Sequence, residues 1–333
     1  MIKKAQKMNL LVTGGAGFIG SNLIRLIIDR PLISKLVNLD CLTYAGKKEN
    51  LEDISADPKY IFEKVDLRDA VATAEVIKKH GITHVLHLAA ESHVDRSIAG
   101  PDDFVQTNIV GTHNLLSACR AAWGDAREGK RFVHVSTDEV YGSLGPKGLF
   151  TEESPYAPNS PYSASKASSD LLVRAYERTY GFPAIITHCS NNFGPYQFPE
   201  KLIPVTIASA REEKEIPVYG DGMQVRDWIY VLDHCEALWK VLLEGKPGQT
   251  YNIGGANEIA NLRLVEMIAD KVDKALKRPT GTSRKLIAFV TDRLGHDQRY
   301  AIDGSKIERE LGWKPRYTFE TALDETVRWY LSR

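Results

Sequence analysis

The sequence lacks the residue clusters on which disulfide frameworks and zinc sites depend. Its four cysteines form no CxxC pair, and its nine histidines form no HxH pair. Neither a disulfide framework nor a metal site is therefore predicted. Unclustered cysteines are typical of reduced thiols in the cytoplasm, where we expect this protein to reside. The cysteines are Cys41, Cys119, Cys189 and Cys235.

The sequence also lacks an excess of charge of either sign. Lysine and arginine together number 43, and aspartate and glutamate together number 43, so the overall charge predicts no nucleic-acid partner and no membrane-surface binding. No run approaches the roughly 18 apolar residues that a membrane span needs. The start, MIKKAQKMNLLVTGGAG, contains no apolar stretch of signal-peptide length. We therefore expect a soluble intracellular protein that meets anionic ligands with local groups.

The sequence does have a regular alternation of apolar runs and helical patterns. The runs are NLLVTG, KLVNLD, YIFEKVDL, HVLHLAA, RFVHVS and PAIITHCS, and between them lie stretches such as FIGSNLIRLIID and AVATAEVIKKH. This order predicts the α/β class, with a Rossmann-type doubly wound parallel sheet covered by helices on both faces.

The alternation loosens after about residue 190, where a smaller α/β lobe is predicted to begin. Prolines interrupt the pattern there, at Pro195, Pro199, Pro204 and Pro217. We expect residues 1–190 to form the first lobe, with residues 225–252 returning to it as one more strand and helix. Residues 191–224 and 253–333 are expected to form mainly the second lobe.

The segment LLVTGGAGFIGSNLI carries three glycines between an apolar strand and a helix. Gly14 suits a tight turn, Gly17 lets the backbone approach a pyrophosphate, and Gly20 allows close packing of helix on strand. Asp40 lies 20 residues beyond Gly20, where a carboxylate accepts hydrogen bonds from an adenosine ribose. Because that carboxylate would repel a 2′-phosphate, the pattern predicts NAD rather than NADP.

Asp66 ends the next strand, in KVDLRD, and has two interpretations. It is placed to reach the adenine amino group of a dinucleotide, or it caps the helix that follows. The sequence leaves both open.

The segment PYSASKASSD places Tyr162 and Lys166 four residues apart, on one face of a predicted helix. A nearby ammonium and an oxidised nicotinamide both favour the phenolate, which then serves as a base for a hydroxyl proton. Together with the glycines, the pair resembles the YxxxK signature of the short-chain dehydrogenase/reductase superfamily, in its extended branch that acts on nucleotide sugars.

The segment VSTDEVYGS places two adjacent carboxylates, Asp138 and Glu139, directly after an apolar run. Successive residues of a strand point to opposite faces, so both reach one ligand only if the strand ends and the backbone turns there. The competing interpretation is a solvated pair that caps the following turn. The spacing alone does not decide between them.

Motifs along nearly the whole chain resemble those of the dTDP-glucose 4,6-dehydratases. They are LAAESHVDRS, STDEVYG, PYSASKASSD, CSNNFGPYQFPEKLIP, RDWIYVLDH, YNIGGANE and DRLGHDQRYAID, in the order and spacing of that family. The aspartate of TDE separates these enzymes from related epimerases, reductases and decarboxylases. Leu294 and His188 depart from the family pattern, in which proline and an asparagine-like residue are usual.

The resemblance implies a role for each catalytic residue. Tyr162 takes the C4 hydroxyl proton of the sugar, with Thr137 and Lys166 holding that geometry. Glu139 removes the C5 proton, and protonated Asp138 gives a proton to the departing C6 hydroxyl. Two close carboxylates in a shielded site should differ in pKa, which provides an acid and a base at one pH.

The resemblance also implies two sets of binding residues, with the second lobe holding the nucleotide sugar. The implied NAD-binding residues are Gly14, Gly17, Phe18, Ile19, Gly20, Asp40, Leu42, Thr43, Asp66, Leu67, Leu88, Ala89, Ala90, Ser92, Thr107, Tyr162, Lys166 and Asn192. The implied substrate-binding residues are Ser92, Thr137, Asn191, Lys201, Leu202, Pro217, Tyr219, Arg226, Asn261, Arg293 and His296. Arg226 and Arg293 suit a diphosphate because a guanidinium presents a planar fork of donors. For Arg226, the competing interpretation is an internal ion pair with Asp227.

We therefore expect dehydration of dTDP-glucose to dTDP-4-dehydro-6-deoxyglucose, with UDP-glucose dehydration or sugar 4-epimerisation as alternatives. A non-enzymatic NAD-binding regulator would be expected to have lost TDE or YxxxK, and both are present. Family members usually pair through two long apolar helices, which here are NIVGTHNLLSACRAAW and SASKASSDLLVRAYERTY, so a homodimer is expected. Burial of these helices within one chain would explain the same pattern.

Overall fold

A computed structural model describes residues 7–333. Its strands are Met8–Thr13 (β1), Ile33–Leu39 (β2), Tyr60–Glu63 (β3), His84–His87 (β4), Arg131–Thr137 (β5), Ala184–Cys189 (β6), Asn191–Phe193 (β7), Ile216–Tyr219 (β8), Val225–Tyr230 (β9), Thr250–Ile253 (β10), Glu258–Ala260 (β11) and Ile287–Val290 (β12).

The helices alternate with these strands through most of the chain. They are Phe18–Ile27 (α1), Ala70–His80 (α2), Val94–Ala99 (α3), Asp102–Phe104 (α4), Thr112–Trp123 (α5), Pro161–Tyr180 (α6), Leu202–Arg211 (α7), Val231–Glu244 (α8), Asn261–Ala275 (α9), Ser305–Leu311 (α10) and Phe319–Leu331 (α11). A π-helical segment, Val105–Gly111, joins α4 to α5, and short 3-10 turns cover Lys48–Ile54, Asp138–Tyr141 and Ser283–Leu286. Within residues 7–333, no helix combines the length and apolarity needed to cross a membrane.

Seven strands form one parallel sheet in the order β10-β6-β5-β4-β1-β2-β3. Successive residues of β1 are buried on opposite faces of this sheet. Leu10 and Val12 pack on the side of α1 and α8, whereas Leu11 packs on the side of α2, α5 and α6. Helices on both faces of a parallel sheet confirm the predicted Rossmann-type α/β class.

The second lobe contains two small sheets. Strands β11, β9 and β7 form one, and β12 pairs with β8 to form the other. Helices α7, α9 and α11 pack against one another beside them.

Residues 225–252, which we expected to return to the first lobe, divide between the two lobes. Helix α8 packs against α1, and β10 pairs with β6 at the edge of the large sheet. Strand β9, which we expected in that sheet, instead pairs with β7 and β11. The physical reason is that β10 already occupies the free edge beside β6. The assignment of the remaining domain boundaries stays a prediction.

Helix α6, which carries Tyr162 and Lys166, has well-defined ends. Ser160 caps its first turn by accepting a hydrogen bond from the Ser163 amide, and Pro161 occupies the first helical position. Gly181 ends it in the left-handed conformation, with a φ of 60°.

The turn between β1 and α1 requires glycine at two positions. Gly14 has a φ of 69°, and a Cβ on it would lie 2.8 Å from the Ala89 amide nitrogen. A Cβ on Gly20 would lie 2.2 Å from the Gly14 carbonyl oxygen. Both close approaches involve backbone atoms, which cannot rotate away as a side chain can.

We expect Gly20→Ala to lower the free energy of unfolding by about 3 kcal/mol, because the added methyl overpacks a backbone contact. Gly100→Ala is the matched control, since no atom lies within 4 Å of its added Cβ. The control should change stability by less than about 0.5 kcal/mol. Urea unfolding of both variants measures the difference, and equal stabilities would contradict the packing argument.

Candidate active site

A cleft of about 400 Å³ lies at the carboxyl ends of the large sheet's strands, where ligands of such sheets bind. All predicted catalytic residues line it: Thr137, Asp138, Glu139, Tyr162 and Lys166. Predicted cofactor residues line it as well: Gly14, Gly17, Phe18, Ile19, Gly20, Asp40, Thr43, Asp66, Leu67, Leu88, Ala89, Ala90, Ser92, Thr107 and Asn192. The fold therefore brings distant motifs to one cavity.

The glycine end of the cleft fits a dinucleotide pyrophosphate. Gly17 precedes α1 without a side-chain cap, so the amide groups of the first turn are free to bind an anion. The missing side chains at Gly14 and Gly17 leave room for a backbone approach, as the sequence motif predicts. The residues at this end fit NAD.

Asp40 holds the loop that borders the adenosine end. Its carboxylate accepts hydrogen bonds from the amides of Ala16 at 2.9 Å and Leu42 at 2.8 Å. Burial raises the pKa of Asp40, and these two backbone donors oppose that rise. Leu42, which we expected among the cofactor residues, does not line the cleft, because its amide is bound by Asp40 and its φ of 58° turns the chain there.

The structure excludes the helix-capping interpretation of Asp66. Helix α2 is capped by Asp69, which accepts a hydrogen bond from the Ala72 amide at 2.9 Å. Asp66 lines the cleft and binds the Arg68 guanidinium at 2.7 Å. Burial acts to raise the pKa of Asp66, but the hydrogen bonds from Arg68 outweigh it and lower that pKa. The carboxylate is available to a ligand, and its contact with adenine stays a prediction.

Strand β5 ends at Thr137, and the next residues form a 3-10 turn. Thr137, not a carboxylate, caps this turn: its Oγ1 accepts a hydrogen bond from the Glu139 amide at 3.3 Å. Asp138 is only 1% exposed, so the interpretation as a solvated pair fails. The turn directs both carboxylates into the cleft.

The environments of the two carboxyl groups differ. Burial, reinforced by the negative charge of Glu139, raises the pKa of Asp138 well above its ordinary value. Burial also raises the pKa of Glu139, but the positive charges of Arg226, Lys201 and Arg293 oppose the rise. Burial therefore favours the protonated form of Asp138, whereas three cations favour ionisation of Glu139, as an acid and a base require.

Tyr162 and Lys166 both line the cleft, as expected from their spacing on one helical face. The Lys166 ammonium donates a hydrogen bond to the Val135 carbonyl oxygen at 2.9 Å. Burial and the charge of Glu139 raise the pKa of Tyr162 well above its ordinary value, while the Thr137 hydroxyl acts to lower it. Burial lowers the pKa of Lys166, and its expected assistance to the phenolate stays a prediction.

The predicted substrate residues divide between the cleft and the second lobe. Ser92, Thr137, Asn191 and Lys201 line the cleft. The remaining ones lie outside it: Leu202, Pro217, Tyr219, Arg226, Asn261, Arg293 and His296. Because Arg226 and Arg293 act on the pKa of Glu139, the second-lobe cations face the catalytic end of the cleft.

The second-lobe cations have identifiable partners. Arg226 donates to the carbonyl oxygens of Val225 and Asp297 at 2.9 and 3.0 Å. Asp227 accepts the Gly255 amide at 3.0 Å, and within residues 7–333 it forms no ion pair with Arg226, so that competing interpretation fails. The loop after β12, which carries Arg293 and His296, is held by separate contacts.

In that loop, Arg293 pairs with Asp95 of α3, with 2.5 Å between Arg293 Nε and Asp95 Oδ1. His296 binds Asp292 through Nδ1 at 2.7 Å. Burial lowers the pKa of His296, and the contact with Asp292 opposes that effect. Both residues are thus held by carboxylates of this chain at the edge of the second lobe.

Sequence reasoning missed Asp170, which lies one helical turn beyond Lys166. Its buried carboxylate accepts a hydrogen bond from Ser136 Oγ at 2.9 Å and contacts Nε2 of His134 and His188 at 3.1 and 3.0 Å. Burial acts to raise the pKa of Asp170, but the bonds from the two histidines hold it well below its ordinary value. The spacing of four from Lys166 in SASKASSD was the available signal.

Sequence reasoning also missed three side chains that meet beside the cofactor end. The rings of Tyr44 and Phe198 contact edge to face, with centroids 5.3 Å apart, and both residues line the cleft. The Arg96 guanidinium lies 3.6 Å from the Tyr44 ring centroid. These contacts join the loop after β2, the segment after β7 and helix α3, which no local motif connects.

Comparisons with known proteins agree with this geometry. The family model described as GDP-mannose 4,6 dehydratase matches residues 11–326. The dTDP-glucose 4,6-dehydratase of Neisseria meningitidis serogroup B is 56% identical over 97% of this chain and 93% of that protein.

Solved structures extend the comparison. DesIV, a dTDP-glucose 4,6-dehydratase from Streptomyces venezuelae with NAD and TYD bound, is 47% identical with a TM-score of 0.90, covering 98% of this chain and 97% of that one. A UDP-glucose 4-epimerase from Thermotoga maritima has a TM-score of 0.86 at 26% identity, covering 98% and 99%. The fold and the site define a nucleotide-sugar enzyme of the extended short-chain dehydrogenase/reductase class. Within this class, the chain belongs to the dTDP-glucose 4,6-dehydratase family.

We expect Asp138→Asn to raise the free energy of unfolding at neutral pH by on the order of 2 kcal/mol, because an amide is neutral in both states and needs no proton uptake on folding. When folding raises the pKa of a carboxyl, the free energy of unfolding of the protein falls as pH rises from the unfolded pKa of that carboxyl, about 3.9, to its folded pKa. The stabilisation should therefore disappear below about pH 4, where the carboxyl is protonated in both states. Urea unfolding at several pH values measures it, and a pH-independent difference would contradict the argument.

Proposed function

We propose that this protein dehydrates dTDP-glucose to dTDP-4-dehydro-6-deoxyglucose, a hydro-lyase reaction of deoxysugar biosynthesis such as that of rhamnose. The observation that carries the proposal is the turn after β5, which places buried Asp138 and the more ionisable Glu139 in the cleft with Tyr162. NAD, when bound, accepts the hydride from sugar C4 and returns it to C6. The protein's own groups move the protons.

Oxidation at C4 requires a base for the C4 hydroxyl. Tyr162 fills this role, and the Thr137 hydroxyl favours its phenolate. Lys166 holds β5 against α6 through Val135, which positions the strand end beside the phenol. The positive charge of the nicotinamide favours the phenolate further.

Elimination of water requires a base at C5 and an acid at C6. The 4-ketone makes the C5 proton acidic, and Glu139 removes it. Asp138 Oδ2 is buried and, within residues 7–333, has no hydrogen-bond partner, so it is free to give its proton to the departing C6 hydroxyl. Glu139 then returns a proton to C5.

The second lobe binds the nucleotide diphosphate in this proposal. Arg226, Lys201 and Arg293 supply positive charge beside Glu139, and the guanidinium forks suit phosphate oxygens. Lys201 directly precedes α7, Arg226 lies in β9 and Arg293 lies in the loop after β12. A substrate phosphate would compete with Asp95 for Arg293.

We also propose a cytoplasmic homodimer. All four cysteines are free thiols, as in reducing compartments. Leu171 and Tyr180 of α6 are 56% and 39% exposed, and Arg120 of α5 lies 3.8 Å from the Tyr180 ring centroid. These residues give α5 and α6 a shared outer face that suits the predicted pairing.

Incubation with dTDP-glucose and, separately, UDP-glucose tests the proposed reaction. We expect the 4-keto-6-deoxy product from dTDP-glucose. Formation of the galactose isomer would indicate an epimerase. If only UDP-glucose gave the 4-keto-6-deoxy product, the nucleotide of the substrate would be UDP and not dTDP. No product from either sugar would indicate a regulator.

We expect Asp138→Asn to retain NAD binding and C4 oxidation but to lose roughly 10²-fold or more of water elimination, because only the acid is removed. Reduced nicotinamide absorbance should therefore accumulate on addition of substrate. Glu139→Gln is the matched control, since it should also accumulate that absorbance but block exchange of the C5 proton with solvent. Normal turnover of Asp138→Asn would disprove the role given to Asp138.

A further inference from the structure

The motif RDWIYVLDH contains a histidine that the proposed mechanism does not use. His234 lies in the first turn of α8 and is fully buried. Its Nδ1 lies 2.8 Å from the side-chain oxygen of Asn192, which lines the cleft. Its Nε2 has no hydrogen-bond partner among residues 7–333. The hydrogen bond of this buried ring therefore goes to a residue of the active site.

The amide of Asn192 has one orientation that satisfies its surroundings. Its nitrogen donates a hydrogen bond to the Ser190 carbonyl oxygen at 3.0 Å and lies 3.4 Å from Cys189 Sγ. A flipped amide would set its oxygen against the Ser190 carbonyl oxygen, and two acceptors cannot pair. The side-chain oxygen of Asn192 must therefore face His234 and accept a hydrogen bond from Nδ1.

The imidazole of His234 has the chemistry that this orientation requires. Burial lowers the pKa of His234 to about 3, so the ring is neutral near pH 7 and carries a single N–H. Because the Asn192 oxygen needs a donor, that hydrogen is on Nδ1. The other tautomer would oppose two acceptors and leave a buried N–H without a partner, which is costly. The ring thus holds the amide with its oxygen towards α8 and its nitrogen beside Cys189.

The amide nitrogen of Asn192 lies at the catalytic end of the cleft. The thiol of Cys189, which it contacts, donates to the Ser136 carbonyl oxygen at 3.5 Å, and Ser136 immediately precedes Thr137. Cys189 lines the cleft as well. In the proposed reaction the nicotinamide must lie at this end, because the carbon whose hydroxyl proton goes to Tyr162 also gives up its hydride. The nicotinamide carries a carboxamide, whose oxygen needs a donor such as an amide N–H.

We propose that His234 is a positioning residue for NAD. Its Nδ1–H fixes the Asn192 amide so that the nitrogen is presented to the nicotinamide carboxamide, which retains the ring and orients it for hydride transfer. Without the imidazole the amide can rotate and present its oxygen, which repels the carboxamide oxygen. His234 does not line the cleft itself and acts through Asn192.

The inference rests on the proposed function, and the rate of NAD dissociation tests it separately from dehydration. We expect His234→Leu to release NAD roughly 10-fold faster than the wild-type protein, because a hydrogen bond to the cofactor is lost. His234→Asn is the matched control, since its side-chain nitrogen can replace Nδ1 as the donor, and it should release NAD at nearly the wild-type rate. Exchange of bound NAD against radiolabelled NAD measures these rates.

A double-mutant cycle separates positioning from a general loss of structure. In an Asn192→Ala background, His234→Leu should change the dissociation rate by less than about 2-fold, because the group that it positions is already absent. Urea unfolding confirms that each variant is folded. An effect as large as in the wild-type background, or no effect of His234→Leu in either background, would overturn the proposal.

NMR of isotopically labelled histidine tests the wild-type protein, so the proposal can fail even if His234→Leu does not fold. The signal that disappears in His234→Asn should show a proton on Nδ1 and none on Nε2, and the reverse would overturn the proposal. If the wild-type protein binds NAD but makes no 4-keto-6-deoxy product, the proposed function fails instead, independently of His234.

Discussion

The active-site geometry depends on the buried carboxylate of Asp170. It contacts Ser136 and His134 of β5 and His188 of β6 from within α6, so one group ties two strand ends to the catalytic helix. Ser136 immediately precedes Thr137, and Lys166 lies one turn before Asp170. Because removal of this acceptor would leave the buried Ser136 hydroxyl unpaired and take a contact from each histidine, the carboxylate helps hold the acid–base turn beside the helix.

The same framework tolerates carboxyl groups that would be unfavourable elsewhere. Asp138 is buried and Glu139 is half-buried next to it, and loss of solvent raises the pKa of both. A stable parallel sheet with apolar packing on both faces offsets this unfavourable burial. The different surroundings of the two groups, one beside Thr137 and the other facing three cations, turn a destabilising pair into an acid and a base.

Local motifs predicted the parts of the site that depend on short spacing. Gly14 and Gly20 meet backbone atoms in a single turn, and Tyr162 and Lys166 share a helical face, so their geometry follows from neighbouring residues. Contacts between distant segments were missed. The direction of the Lys166 ammonium depends on β5, and the pairing of Arg293 with Asp95 joins residues 198 positions apart.

The sequence by itself determined the fold class, the dinucleotide turn and the set of chemical groups, because apolar periodicity and glycine requirements act within a few residues. Only the tertiary structure decided the protonation states and partners of those groups. Desolvation and charge act through space, so the pKa of Asp138, the placement of β9 and the direction of the Lys166 ammonium depend on segments that approach one another only after folding.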